Sequence, residues 1–107
     1  MQQISPQELQ QKLAGPAHAR PLLLDVREPW EFQICSLPGS MLMPMRTVPA
    51  RLAELEDNAE TVVICHHGTR SMQVAMFLER EGFSRVYNLT GGVDGWARTV
   101  ESSMPVY

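Results

Sequence analysis

Cysteine is scarce in this chain: 107 residues include two, Cys35 and Cys65. Two are too few for a disulfide framework, and without a Cys-x-x-Cys pair there is no zinc-ribbon pattern. Positive charge is also short. Nine Lys and Arg against twelve Asp and Glu give a formal net charge of −3, which speaks against a basic nucleic-acid footprint. Apolar runs are brief, and none approaches the roughly 18 residues that a membrane-spanning helix needs. The opening segment Met1-Gln2-Gln3-Ile4-Ser5-Pro6-Gln7-Glu8 has neither the positive nor the apolar region of a secretory signal. The expectation is a cytoplasmic protein that binds neither nucleic acid nor membrane. In that reducing compartment its two thiols are either inert core atoms or reactive ones.

Repeats, low-complexity tracts and Gly/Ser linkers are absent as well. What is present suits one domain spanning residues 1–107: hydrophobic residues make up 44% and charged residues 20%. Ser5-Pro6-Gln7-Glu8 reads as a capping box opening a helix that carries Leu9 and Leu13 and stops at Gly15-Pro16. Leu22 to Val26 reads as a strand covered on both faces. Glu28 to Phe32 predicts one or two helical turns, Pro38-Gly39 a turn, and Ser40 to Met43 a second strand. Leu52 and Leu55 suggest a helix from about Val48 to Asp57. Thr61 to Cys65 is the clearest strand, β-branched and apolar up to the thiol.

Val74, Phe77 and Leu78 then mark a strong helix ended by Gly82. Arg85 to Leu89 is a further strand, and Gly91-Gly92 opens a last helix carrying Trp96. Such alternation predicts an α/β fold, a doubly wound parallel sheet of four or five strands with helices on both faces. Ligands of such sheets sit at the carboxyl ends of the strands, where Cys65 stands.

The stretch Cys65-His66-His67-Gly68-Thr69-Arg70-Ser71 joins that strand to the strong helix. The chain must curl there, and Gly68 supplies the torsional freedom. A curl running into a helix N-terminus aims several backbone N–H groups at one point, an anion nest. Its field favours the thiolate form of Cys65 and holds any anion seated over it. Arg70 adds a positive fork suited to sulfonate, phosphate or carboxylate, and Thr69 and Ser71 add hydroxyl donors. The residues therefore read as a thiolate nucleophile in an oxyanion cradle. An inert strand-end cysteine with an ordinary polar loop is the blander alternative.

The loop, together with Glu81-Gly82-Phe83, Val86, Leu89 and Gly91-Gly92-x-x-x-Trp96, resembles single-domain rhodanese-like sulfurtransferases. Upstream, Leu24-Asp25-Val26-Arg27-Glu28-x-x-Glu31-Phe32 and Leu37-Pro38-Gly39-Ser40 resemble the same family, so the likeness covers about Leu22 to Trp96. It implies a rhodanese-like domain that takes a sulfane sulfur from thiosulfate or a similar donor. The sulfur would form a persulfide on Cys65 and pass to cyanide or a thiol, a protein thiol included. No metal or organic cofactor is implied. His66, His67, Gly68, Thr69, Arg70 and Ser71 would bind substrate, and Asp25 and Arg27 would brace the site. The expected state is a monomer or weak dimer. One departure stands out: the family's Gly-His-Ile-Pro-Gly-Ala is here Cys35-Ser36-Leu37-Pro38-Gly39-Ser40.

Other readings compete. Cell-cycle dual-specificity phosphatases resemble this fold but carry a longer loop between Cys and Arg, where this chain has the four residues His66 to Thr69. A Cys-dependent phosphatase, an arsenate reductase and a non-catalytic rhodanese-like binding module are therefore the alternatives. Adjacent His66 and His67 seldom converge on one ion and read as side chains at the pocket mouth. Met41, Met43 and Met45 alternate as one face of a strand does, and read as packing. Cys35 reads as a small core hydrophobe or a resolving thiol, Trp30 and Trp96 as core or pocket-wall aromatics, and His18 as surface.

Overall fold

The computed structural model describes all residues from Met1 to Tyr107. Five strands form one sheet: β1 (Gln2–Ile4), β2 (Leu22–Asp25), β3 (Met41–Leu42), β4 (Thr61–Ile64) and β5 (Val86–Leu89). Their order is β1-β5-β4-β2-β3, and every pairing is parallel. Three α-helices lie between strands, α1 (Pro6–Leu13), α2 (Pro29–Ile34) and α3 (Thr69–Arg80), 3₁₀ stretches bridge β3 to β4, and α4 (Gly92–Thr99) follows β5.

Alternation along β4 explains the layers. Val62 and Ile64 point to one face and pack with Leu9 of α1 and Val93, Trp96 and Ala97 of α4. Val63 and Cys65 point to the other and pack with Val74, Ala75 and Leu78 of α3. Burial on both faces is why β4 reads as an unbroken apolar run. Register aligns Asp25 with Ile64, and the Val26 N–H donates to the Ile64 carbonyl at 2.9 Å, so β2 and β4 end at one edge of the molecule.

Local signals operate as their chemistry requires. The Ser5 hydroxyl accepts from the Glu8 N–H at 3.1 Å, and the Glu8 carboxylate accepts from the Ser5 N–H at 2.9 Å. Met43 is fully buried, with Met41 and Met45 packed against the same core. His18 is exposed.

Three expectations are corrected. The helix from Val48 to Asp57 is instead a 3₁₀ stretch over Pro49–Glu54. Leu52 and Leu55 stand three apart, and Arg51 pairs with Glu54 at 2.9 Å, spacings that a three-residue turn satisfies. The edge strand β1 lies in a segment for which the sequence predicts no element, because Gln2-Gln3-Ile4 holds a single buried apolar residue. Trp30 is neither core nor enclosed wall. It stands 60% exposed, edge-on to the Tyr107 ring at 6.0 Å, whereas Trp96 is buried.

Candidate active site

Cys65 follows β4 directly and is buried. Beyond it the chain turns back, and Gly68 takes φ +105° as the N-cap of α3, a conformation that favours glycine. That turn brings the Gly68 N–H to 3.0 Å from the Cys65 sulfur, and the Ser71 hydroxyl lies 3.2 Å from the same atom. The N–H groups of Thr69, Arg70 and Ser71 belong to the first turn of α3, which has no helical carbonyls to bind.

The start of α4 clamps the loop from outside. The Val93 N–H donates to the Cys65 carbonyl at 2.9 Å, and the Asp94 N–H to the His66 carbonyl at 3.1 Å. Gly92, at φ +61°, permits this approach: a Cβ there would collide with the carbonyl oxygens of Cys65 and His66. The glycine pair expected merely to open a helix therefore holds the loop as well.

Arg70 does not stand as an open fork. Its two terminal nitrogens bind the Glu31 carboxylate at 2.7 and 2.8 Å. Glu31 also accepts from the Glu28 N–H at 3.0 Å and from the Tyr107 hydroxyl at 2.8 Å. The Arg70 hydrogen bonds, working against burial, hold the Glu31 carboxyl down at about 2. Arg27 is fully buried and binds Asp25 through Nε and Nη2 at 2.9 and 2.7 Å. It also donates to the Cys35 carbonyl at 2.7 Å and the Tyr107 hydroxyl at 2.9 Å. Asp25 and Arg27 thus tie the ends of β2 and α2 to the chain that crosses at Tyr107.

His66 is sandwiched by two rings, Tyr107 at 3.8 Å and His67 at 3.9 Å. Burial, followed by the neighbouring His67, lowers its pKa below the ordinary imidazole value, so it is neutral at pH 7. Its buried Nε2 has no partner. His66, His67 and Asp94 bring ligand atoms within 4.8 Å of one another, but Asp94 already accepts from Arg98 at 2.9 Å. Thr69 and His67 are exposed. Cys35 lies in the core cluster on the face of the sheet opposite that of Cys65, and both thiols are free.

Of the expected loop residues, Gly68 and Ser71 meet the Cys65 sulfur, Arg70 is turned to Glu31, His66 is stacked against Tyr107, and His67 and Thr69 lie exposed. Glu31, Gly92 and Tyr107 join them without having been expected there. Glu31 stood in the upstream motif and Gly92 in a glycine pair. Tyr107 carries no local signal, since its role depends wholly on contacts with residues far back in the chain.

Comparison with known proteins places the chain. A model of the family described as "Rhodanese-like domain" matches residues 5–99. A sulfurtransferase of Allochromatium vinosum is 35% identical over 96 residues, covering 90% of this chain and 88% of that protein. A rhodanese-like/PpiC domain-containing chloroplastic protein of Arabidopsis thaliana is 40% identical over 97% of the chain. This chain spans 36% of that longer relative. The crystal structure of a rhodanese-like domain protein from Staphylococcus aureus superposes with a TM-score of 0.85 at 28% identity, over 100% of this chain and 99% of that one. With the family's pattern running across nearly the whole sheet and the loop at its edge, this chain belongs to the rhodanese-like domain family.

Proposed function

We propose that this chain is a sulfurtransferase that carries a sulfane sulfur on Cys65, from thiosulfate or a similar anionic donor to cyanide or a thiol. The observation that supports it most is the Cys65 sulfur itself, buried at a strand end with an N–H at 3.0 Å and a hydroxyl at 3.2 Å. In the first step the Cys65 thiolate attacks the outer sulfur of thiosulfate. The bond from that sulfur to the sulfonate sulfur breaks, its electron pair leaves with sulfite, and Cys65 becomes a persulfide anion. The N–H groups of the loop from His66 to Ser71 hold that anion. In the second step an acceptor thiolate or cyanide attacks the outer sulfur, and the Cys65 thiolate leaves. Both are nucleophilic displacements in which the nucleophile supplies the electron pair, so the route calls for no cofactor.

Intact mass spectrometry tests this. Reduced protein treated with thiosulfate and desalted should gain one sulfur, lose it to cyanide, and gain none as Cys65→Ser. No adduct from thiosulfate or from a small persulfide donor would overturn the reading and turn attention to phosphate or arsenate at the same loop. The compartment we propose is the cytoplasm, where both thiols stay reduced; recovery of the native protein outside it on fractionation would refute that.

A further inference from the structure

Behind Cys65 a line of side chains runs from the sulfur to the surface. Ser71 Oγ lies 3.2 Å from Cys65 Sγ, Asn88 Oδ1 accepts from the Ser71 hydroxyl, and Asn88 Nδ2 donates to Gln3 Oε1 at 2.9 Å. Ser71 belongs to α3, Asn88 to β5 and Gln3 to β1. Ser71 and Asn88 are buried and Gln3 is exposed. Sulfur transfer as described above uses neither Asn88 nor Gln3.

A serine hydroxyl owns one proton. Here it goes to Asn88, because the Asn88 amide turns its NH₂ onto Gln3. Ser71 therefore meets the sulfur with a lone pair and accepts from a neutral thiol. A thiolate needs the opposite, a donor. If the Asn88 and Gln3 amides both turn over, the line is paired again in the opposite sense, losing only the contact of Gln3 Nε2 with Met1 Sδ at 3.7 Å. Gln3 then donates to Asn88, Asn88 to Ser71, and Ser71 to the sulfur. Gln3 has room to turn, since with Asn88 it lines a depression of about 260 Å³ beside Gly68 and Thr69.

The geometry points to Asn88 as a positioning residue: with Gln3 it sets the direction of the Ser71 proton, and so whether the Cys65 sulfur is met as thiol or as thiolate. Once a sulfane sulfur is added, the charge moves to the outer sulfur. Cys65 Sγ becomes a neutral bridging atom with no proton to give, so the resting direction, in which Ser71 accepts, serves the free thiol alone. The inference rests on Cys65 being the nucleophile and not on which donor loads it.

The test is the rate of Cys65 alkylation by iodoacetamide against pH, read on the Cys65 peptide so that Cys35 does not contribute. Asn88→Asp keeps the shape but offers only acceptors. Its profile should move to higher pH, and the rate at pH 7 should fall about tenfold, the worth of one hydrogen bond to a charged group. Asn88→Ala removes the acceptor and releases the Ser71 proton to the sulfur, so its profile should move to lower pH. In a Ser71→Ala background Asn88→Ala should move nothing, and Asn88→Asp should keep only the through-space effect of its charge.

Arg70 on α3, Glu31 on α2, Asp94 on α4, His66 and His67 in the loop and Tyr107 are the charged and titratable groups around Cys65. They are identical in every variant. Shifts of the same sign for both substitutions, or shifts undiminished without Ser71, would overturn the proposal. Should a buried variant fail to fold, Gln3→Glu holds the Asn88 amide in its resting direction from the exposed end. It should raise the profile only while Ser71 is present, and no movement would refute the relay. A chain that gained no sulfur from thiosulfate would still report in this assay, so the two readings fail separately.

Discussion

For the sulfur transfer proposed above, Arg70 is the residue we expect donor choice to turn on. Its guanidinium is bound by Glu31 through two nitrogens, which leaves its other N–H groups for a donor anion. Removing it takes a charge from the step that meets a dianion and leaves the sulfur chemistry in place. Arg70→Ala should raise the thiosulfate KM about tenfold, in keeping with one charged hydrogen bond, with little change in the discharge of the preformed persulfide by cyanide. Half-reactions measured separately decide it, and equal losses in both would remove Arg70 from donor binding. The sequence announced Arg70 through its spacing from Cys65. It could not announce Glu31 as its partner, because that pairing spans 39 positions and depends on where α2 docks.

At the scale of elements, the join between the loop and α4 is the tightest fit in the site. Two N–H groups of α4 bind carbonyls of the loop, and Gly92 has no space for a methyl group. Gly92→Ala should lower the unfolding free energy by about 1–3 kcal/mol, the cost of strain at a left-handed position, with more added by the collision. Urea denaturation followed by circular dichroism measures it, and an unchanged midpoint would show that α4 does not hold the loop. Strands with apolar burial on both faces, such as β4, were plain in the sequence. β1 was not, because an edge strand of three residues with one buried side chain leaves no periodicity to detect. The 3₁₀ stretch at Pro49–Glu54 escaped for a related reason, since leucines three apart fit either helix.

For the molecule as a whole, acid is the telling stress. The folded state holds the Glu31 carboxyl at about 2, below its ordinary value of 4.5. A depressed carboxylate adds stability that is complete above the unfolded value and is lost as pH falls toward the folded one. Thermal stability should therefore decline between about pH 4.5 and 2, more steeply than in Glu31→Gln, which has no proton to take up at this site. Identical slopes for the two proteins would mean that the Arg70, Tyr107 and Glu28 contacts leave Glu31 no less willing to protonate than in the open chain.

The clamp of Val93 and Asp94 on the loop has a consequence in time as well as in shape. Those two amides exchange with deuterium only when the loop and α4 part. Anything seated on the loop that resists parting should therefore slow exchange at the start of α4. Sulfur loading of Cys65 should be readable there as a longer lifetime of the Val93 and Asp94 protons, and unchanged lifetimes would show that loop and helix open independently.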